Sequence, residues 1–169
     1  MKNQKIVPDI LINNAGTIRR NAAENHPTEW WDEVIEVNLS SQFLLSREIG
    51  REMINRGSGK IIFIASLLTF QGGISVPGYA ASKGGIVGMT LPMARDLSKF
   101  GIRVVTVAPG IFETPMLLGM PQEVQDSLGK QVPFPSRLGK PKEFAIFVKS
   151  IFENIMLNGE TIRLDGAIR

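Results

Sequence analysis

The feature that most constrains the fold is a set of short apolar segments that end at turns and are separated by segments with helical periodicity. Residues 60–65 and 102–108 are apolar almost throughout and rich in β-branched residues, which is typical of strands buried on both faces. Residues 6–15 run into an Asn-Asn-Ala-Gly turn, and residues 160–164 run into Asp-Gly. Strands that alternate with helices predict an α/β fold, in which a parallel sheet carries helices on both faces.

The segments between the predicted strands carry the helices. Pro27 begins a helical pattern with one interruption, which predicts two short helices or one interrupted helix. A helix is predicted over residues 79–100, where Pro92 should kink it or cost about 3 kcal/mol. Residues 111–141 are rich in Pro, Gly and Met and predict a loop with one short helix, and residues 142–153 are predicted to be helical.

Composition limits the classes of function. A chain of 169 residues, 43% of them hydrophobic, predicts one domain over residues 1–169. It has no Cys and a single His, His26, which excludes disulfides and thiolate chemistry and leads us to expect no metal site; we interpret His26 as a loop residue. The net charge of +3 is scattered, with Arg19 and Arg20 the nearest to a basic run, so we expect no nucleic-acid partner. No apolar segment is long enough to span a membrane, and we expect a cytoplasmic protein without membrane contact.

Tyr79 and Lys83 are the sharpest candidates for chemistry. Tyr79 is the only tyrosine and precedes Lys83 by one helical turn at the start of a predicted helix, so both side chains share one face. A nearby cation favours the phenolate and lowers the pKa of a tyrosine from its ordinary value of about 10, which suits proton transfer at neutral pH. The same spacing is also common on exposed helix surfaces, so the pair acquires meaning only from its surroundings.

The surroundings of this pair are the ends of the predicted strands. Gly16, Ser66 and Gly110 each follow the carboxyl end of a predicted strand. Ligands of open α/β sheets bind at that edge. We therefore expect the Ser66 hydroxyl, the Tyr79 phenol and the Lys83 ammonium in one crevice, where they suit proton transfer to or from a substrate oxygen.

Five ordered motifs resemble those of the short-chain dehydrogenase/reductase family over essentially the whole chain: Asn13-Asn14-Ala15-Gly16, Asn38, Ser66, Tyr79-x-x-x-Lys83 and Pro109-Gly110. The resemblance implies an oxidoreductase that moves hydride between NAD or NADP and a secondary alcohol or ketone, and it favours NAD. It implies a catalytic tetrad of Asn38, Ser66, Tyr79 and Lys83. It further implies cofactor contacts at Asn14, Ala15, Gly16, Tyr79, Lys83, Pro109, Gly110, Ile111 and Thr114.

The resemblance also implies a role for each member of the tetrad. Tyr79 would exchange the proton of the substrate hydroxyl, and Ser66 would hold the developing carbonyl oxygen. Lys83 would lower the pKa of Tyr79 while binding the nicotinamide ribose, and Asn38 would hold a water of the proton relay. Considered singly, Asn38 is equally consistent with a helix cap and Ser66 with a strand-end hydroxyl bonded to the backbone. Pro109-Gly110 and Thr114-Pro115 are equally consistent with a strand terminator and a turn.

The chain departs from the family at its start. The first strand of the family, its glycine-rich turn and the two following strands are absent, which at about 30 residues per βαβ unit amounts to roughly 80 residues. That turn would hold the cofactor pyrophosphate at a helix N-terminus. We therefore expect a partial Rossmann-like, doubly wound parallel sheet in an N-terminally truncated domain. Its unpaired edge would carry Ile10, Leu11 and Ile12 and promote self-association.

Two groups within the family share features with the chain, which leaves the substrate open. Residues 9–78 are most similar to 2-deoxy-D-gluconate dehydrogenases, and residues 79–169 to hydroxyacyl-CoA dehydrogenases. The part that is similar to the sugar-acid group contains three polar residues that would either bind a carboxylate or face solvent: Arg19, Arg20 and Gln71. The part that is similar to the acyl-CoA group contains four apolar residues that would either form an apolar wall of the substrate site or pack within the protein: Met116, Leu117, Leu118 and Met120.

Two functions of different classes remain. The intact tetrad favours an enzyme that acts on a small molecule. The missing glycine-rich turn favours a catalytically inactive chain that acts only as an oligomerisation or interaction module. The resemblance implies a homo-oligomer, either a dimer or a tetramer, paired through the helices predicted in residues 40–55 and 79–100.

Overall fold

A four-stranded parallel sheet forms the centre of the molecule. A computed structural model describes residues 7–168, apart from the side chain of Met116. The strands are β1 (Ile10–Asn13), β2 (Gly59–Ile64), β3 (Ile102–Pro109) and β4 (Thr161–Leu164). Their order across the sheet is β1-β2-β3-β4, and every neighbouring pair is parallel. The predicted α/β class with a partial doubly wound sheet is confirmed.

Each connection between strands contains helices, the usual form of the crossover that parallel pairing requires. After a short 3₁₀ turn (Ala23–Asn25), β1 is joined to β2 by α1 (Thr28–Ile35), one turn of π-helix (Glu36–Ser40) and α2 (Ser41–Arg56). β2 is joined to β3 by α3 (Leu68–Gln71) and α4 (Pro77–Ser98). β3 is joined to β4 by α5 (Pro115–Leu118), α6 (Gln122–Lys130) and α7 (Pro141–Glu153).

Both faces of the sheet are covered, because successive side chains of a strand point to opposite faces. Phe63 and Val104 face α2 and α4, where Met53 and Ile86 complete one core. The other face of β2 and β3 packs against α7, with a core formed by Ile62, Ile64, Val105, Val107, Val148 and Ile151. The strands therefore read as continuous apolar runs, and the loops at their ends are held on a rigid support.

The structure differs from the sequence predictions in two places. The segment predicted to hold one short helix holds two, α5 and α6. α4 contains Pro92 as predicted, and Gly88 and Pro92 are both exposed, so the Gly88 carbonyl that loses its usual donor lies on the solvent side. β1 is shorter than predicted and its predicted first residue, Ile6, lies outside the described residues.

β1 forms one edge of the described sheet, as expected. It pairs with β2 alone, and the side chain of Ile12 is 44% exposed. Across residues 7–168, none of the helices has both the length and the apolar character that crossing a membrane would need.

Candidate active site

The candidate residues meet at one edge of the sheet, as the sequence predicted. Asn14 follows β1, Ser66 follows β2 and Gly110 follows β3. Because the strands are parallel, these three carboxyl ends lie side by side. Tyr79 and Lys83 lie in the first two turns of α4, which packs on the same strands.

Asn38 lies in the π-helical turn between α1 and α2 and is fully buried. Its Oδ1 accepts a hydrogen bond from the Thr17 amide at 2.7 Å, and its Nδ2 donates to the Thr17 carbonyl at 2.9 Å and to Ser82 Oγ at 3.1 Å. A single wide turn inside a long helix is a feature that recurs at functional sites. Asn38 is therefore no helix cap: its side chain ties the loop after β1 to α4.

Lys83 is buried, with only 3% of its surface exposed. Its Nζ donates a hydrogen bond to the Ile64 carbonyl at 2.7 Å and lies 5.8 Å from the centre of the Tyr79 ring. Burial lowers the pKa of the Lys83 ammonium to about 8, because the charged form loses solvation. An ammonium has three donors, so the bond to Ile64 leaves two N–H groups to serve a ligand.

Ser66 and Tyr79 face each other. The Ser66 side chain acts on the Tyr79 phenol to lower its pKa, and Ser66 Oγ accepts a hydrogen bond from the Leu68 amide at 3.2 Å. Burial raises the pKa of the Tyr79 phenol, and the opposing effects of Ser66 and Arg20 only partly offset it. The strand-end alternative for Ser66 is present, because its hydroxyl accepts from the backbone; its role toward a substrate oxygen stays a prediction.

The expected lowering of the Tyr79 pKa by Lys83 is not found. The net direction is upward, and the cation that acts on the phenol is Arg20. The physical reason is that the phenol is partly buried, so desolvation of the phenolate outweighs neighbouring charge, and the buried Lys83 ammonium is directed at the Ile64 carbonyl.

Residues 14–16, expected on the adenosine side of the cofactor, are exposed. Their backbone is fixed from below, because Gln42 Nε2 donates a hydrogen bond to the Ala15 carbonyl at 2.7 Å. A Cβ added to Gly16 would lie 3.4 Å from Asn38 Oδ1 and 3.7 Å from Lys83 Nζ. The glycine therefore keeps open the space above the buried amide and ammonium.

The residues expected at the nicotinamide end follow β3. The Pro109 carbonyl accepts from the Leu67 amide at 2.9 Å, and the Gly110 amide donates to the Leu164 carbonyl at 2.9 Å. A Cβ on Gly110 would lie 2.7 Å from the Cα of Asp165, so only glycine fits this approach of two chain segments. Ile111 is half-buried next to these residues.

Thr114 begins the helical part of the loop after β3. Its Oγ1 accepts a hydrogen bond from the Leu117 amide at 3.3 Å and thereby caps α5. Leu118 and Met120, predicted to form an apolar wall, are 53% and 39% exposed, and the side chain of Met116 lies outside the described part. The residues of the predicted apolar wall therefore present two apolar side chains, Leu118 and Met120, to solvent.

Sequence reasoning missed three supporting groups. Thr17 and Ser82 bind the side chain of Asn38, and Gln42 holds the turn after β1. One signal was available for Gln42, since it lies one helical turn after Asn38 and shares its face. Thr17 and Ser82 carry no such signal, because their partner is distant in the sequence.

His26 lies between the 3₁₀ turn and α1, as predicted for a loop residue. Its ring meets Trp30 edge-on, with ring centres 6.2 Å apart, and neither ring nitrogen has a hydrogen-bond partner among the described residues. In the described part of the chain, no three His, Cys, Asp or Glu side chains are grouped to hold a metal ion.

Comparison with known proteins gives consistent matches. The sequence pattern of the family described as short chain dehydrogenase matches residues 4–125. The 3-hydroxyacyl-CoA dehydrogenase type-2 of Homo sapiens is 48% identical over 173 residues, which cover 95% of this chain and 66% of that protein. The 2-dehydro-3-deoxy-D-gluconate 5-dehydrogenase of Pseudoalteromonas atlantica is 47% identical over 162 residues, covering 94% of this chain and 63% of that protein. Its counterpart from Bacillus subtilis is 41% identical over 163 residues, with 94% and 63% covered.

The chain thus spans 63–66% of the length of these curated relatives. The resemblance to two substrate groups, which the motifs divided between the halves of the chain, extends over nearly the whole chain for each group.

Proposed function

The chain belongs to the short-chain dehydrogenase family, and on that premise we propose that it is an oxidoreductase acting on a secondary alcohol or ketone with NAD or NADP. The observation that carries the proposal is the buried group at the carboxyl edge of the sheet. There the Lys83 Nζ lies 5.8 Å from the centre of the Tyr79 ring, and the Ser66 side chain acts on the same phenol to lower its pKa. A hydroxyl, a phenol and an ammonium in contact with one crevice are the parts that proton transfer at an alcohol oxygen requires.

The residues present suit a nicotinamide cofactor. Gly16 leaves free the space beside Asn38 and Lys83, and Lys83 retains donors after its bond to the Ile64 carbonyl. We propose that the cofactor is held by Asn14, Ala15, Gly16, Tyr79, Lys83, Pro109, Gly110, Ile111 and Thr114. When bound, the nicotinamide supplies or accepts the hydride. Family resemblance favours NAD over NADP.

We assign each side chain one task. Ser66 donates a hydrogen bond to the substrate oxygen, and Tyr79 gives its proton to that oxygen or takes it back. The raised pKa keeps Tyr79 protonated at neutral pH, the state that a proton donor needs. Lys83 binds the ribose, and its pKa of about 8 lets it pass a proton onward near neutral pH.

Asn38 is a positioning residue in this scheme. Thr17 and Ser82 occupy its amide, so the side chain is engaged in fixing the loop and α4 rather than in holding a water. The distance between the residues 14–16 turn and Lys83 depends on this amide, because Thr17 follows that turn directly.

The substrate is either a hydroxyacyl-CoA or a sugar acid, since relatives with names of both kinds match the chain equally far along its length. The exposed Leu118 and Met120 would cover an acyl chain, and Arg20 would meet an acid. An assay of NADH and NADPH oxidation with acetoacetyl-CoA and with keto sugar acids covers both classes.

The test of the proposed function is Tyr79→Phe, which removes one hydroxyl from the site. A general acid contributes roughly 10²- to 10⁴-fold, so turnover should fall by about that factor. Ser150→Ala is the matched control, because it removes an exposed hydroxyl on α7 that bonds only to its own helix. Wild-type turnover that survives Tyr79→Phe unchanged would contradict the assignment.

A homo-oligomer is our second proposal for this chain. α2 and α4 expose large apolar side chains that a monomer would leave in water, among them Phe43, Leu44 and Leu91 at 44–46% exposure. We propose that these helices pair with a second copy. Sedimentation should show a dimer or tetramer that Phe43→Glu weakens; an oligomer without any turnover would favour the interaction module over the enzyme.

A further inference from the structure

Arg163 lies near the carboxyl end of β4, and the proposed mechanism leaves it unused. Its Nε donates a hydrogen bond to Asp165 Oδ2 at 2.6 Å, and its Nη2 donates to the Ile168 carbonyl at 2.7 Å. The guanidinium also lies 5.3 Å from the centre of the Phe70 ring, a distance at which a cation is attracted to an aromatic face. One side chain thus contacts both the segment after β4, residues 165–168, and the helix α3.

The first link made by Arg163 runs to the turn after β3. The Asp165 carboxylate is buried, with 6% of the side chain exposed, and its other oxygen accepts from the Ala167 amide at 3.0 Å. A Cβ added to Gly110 would lie 2.7 Å from the Cα of Asp165, so the two backbone segments are in close contact. The Gly110 amide also donates to the Leu164 carbonyl at 2.9 Å. By holding the Asp165 carboxylate, Arg163 therefore fixes the backbone against which the Gly110 turn packs.

The second link runs to the segment that carries Ser66. Ile168 is buried, and its side chain packs with that of Leu67, the residue directly after Ser66. The Leu67 amide donates to the Pro109 carbonyl at 2.9 Å, which joins this segment to the end of β3. Because Arg163 binds the Ile168 carbonyl, it keeps the Ile168 side chain against Leu67. The two links together set the distance between the Ser66 segment and the turn after β3.

We propose that Arg163 is a positioning residue that places the Ser66 hydroxyl relative to the turn after β3. The inference rests on the proposed function, in which Ser66 binds the substrate oxygen and the Gly110 turn meets the nicotinamide. Hydride transfer needs the two reacting groups in contact, and a displacement of about 1 Å costs on the order of 100-fold in rate. A guanidinium suits this task because its planar fork holds two acceptors in fixed directions while its face lies on an aromatic ring.

The test measures kcat and KM in two variants of Arg163. Turnover of acetoacetyl-CoA and of 5-ketogluconate with NADH and NADPH would be compared in the wild type, Arg163→Met and Arg163→Lys. The first variant removes every contact of the guanidinium, whereas the second keeps a charge opposite Asp165 without the planar fork. kcat should fall about 100-fold in Arg163→Met and about 10-fold in Arg163→Lys, with KM changed by less than about threefold. The matched control is Arg51→Lys, in an exposed ion pair with Glu48 on α2, and its kcat should stay within about twofold of the wild type.

A double-mutant cycle with Ser66→Ala separates a positioning role from a purely structural one. If Arg163 acts by placing the Ser66 hydroxyl, Arg163→Lys should change kcat by less than about twofold once Ser66 is alanine. Losses that multiply in the double variant would overturn the proposal, and so would a kcat in Arg163→Lys equal to that of the wild type. The cycle uses Arg163→Lys because Arg163→Met leaves the buried Asp165 carboxylate without its cation, which endangers folding.

Amide hydrogen exchange provides a readout that does not depend on turnover. If the wild type reduces neither ketone, the proposed function fails separately, and exchange then decides the role of Arg163. The Leu67 amide bonds to the end of β3 and the Leu68 amide to Ser66 Oγ, so both should exchange faster in Arg163→Lys than in the wild type. Ile62, in the middle of β2, should stay equally protected. Leu67 and Leu68 amides that are equally protected in the two proteins would refute the proposal.

Discussion

Replacing Asn38 with alanine should destabilise the protein by about 3 kcal/mol. The side chain is fully buried and makes three hydrogen bonds, two to the Thr17 backbone and one to Ser82 Oγ. A neutral hydrogen bond contributes about 1 kcal/mol net, and the partners left behind are buried polar groups. Ser82 loses least, because its hydroxyl still donates to the Tyr79 carbonyl at 2.8 Å. The total is a large fraction of the roughly 5–15 kcal/mol by which a domain is stable.

Asn38→Asp separates the hydrogen bonds from the loss of volume. The variant keeps the shape, but an ionised carboxylate cannot donate to the Thr17 carbonyl, so the folded protein raises the pKa of the new carboxyl. A raised pKa means that the folded state binds more protons, so the stability of this variant is greatest below about pH 4 and falls as the pH rises.

Urea unfolding provides the measurement, with Asn55→Ala as control because Asn55 lies exposed on α2. The midpoint should shift for Asn38→Ala at constant slope, and the control should stay within about 0.5 kcal/mol of the wild type. Amide hydrogen exchange at Thr17 should accelerate in the variant alone. An Asn38→Ala protein as stable as the control, with Thr17 equally protected, would refute the role that we assign to this amide.

Three further changes follow from the structure. Burial lowers the pKa of Lys83 from 10.5 to about 8, so between these pH values the unfolded chain binds a proton that the folded protein does not. The free energy of unfolding therefore rises with pH across this range. Measured by urea unfolding relative to Lys83→Met, the wild type should gain about 3 kcal/mol between pH 8 and 10.5. Arg103 donates five hydrogen bonds to carbonyls at the end of α7, so Arg103→Met should cost about 2–3 kcal/mol, whereas the exposed Arg51→Met should cost less than about 0.5 kcal/mol in the same assay. Gly110→Ala places a Cβ 2.7 Å from the Cα of Asp165 and should lower both the melting temperature and turnover. In Gly50→Ala on α2 the added Cβ meets no atom within 4 Å, so this variant should have a raised melting temperature.

The sheet was predictable because its strands are buried on both faces. Segments such as residues 102–108 lack the regular alternation of apolar and polar residues, so they are recognised as strands buried on both faces. Parallel pairing then brings Ser66 and Gly110 to one edge of the sheet. The interrupted helical pattern after Pro27 likewise anticipated the wide turn that holds Asn38. These features depend on local pattern and on general rules of connection.

Other features depend on contacts between distant segments. α6 is short, largely polar and exposed, and it lies in a segment whose Pro, Gly and Met content predicts a loop. The direction of the Tyr79 pKa shift depends on how deeply the phenol is buried, which spacing to Lys83 does not report. The engagement of Asn38 by Thr17 joins residues 21 positions apart, beyond the reach of any local rule.

The order of strands across the sheet has a consequence for how the chain folds. Because β1, β2, β3 and β4 are neighbours in the order in which they are synthesised, each new strand adds to an edge that the nascent chain has already formed. Among the described strands, none has to wait for a later one before it can be inserted, so the wait for distant segments that slows many parallel sheets is small here. Once β3 has emerged from the ribosome, a three-stranded sheet that carries Ser66, Tyr79 and Lys83 can form before β4 is added.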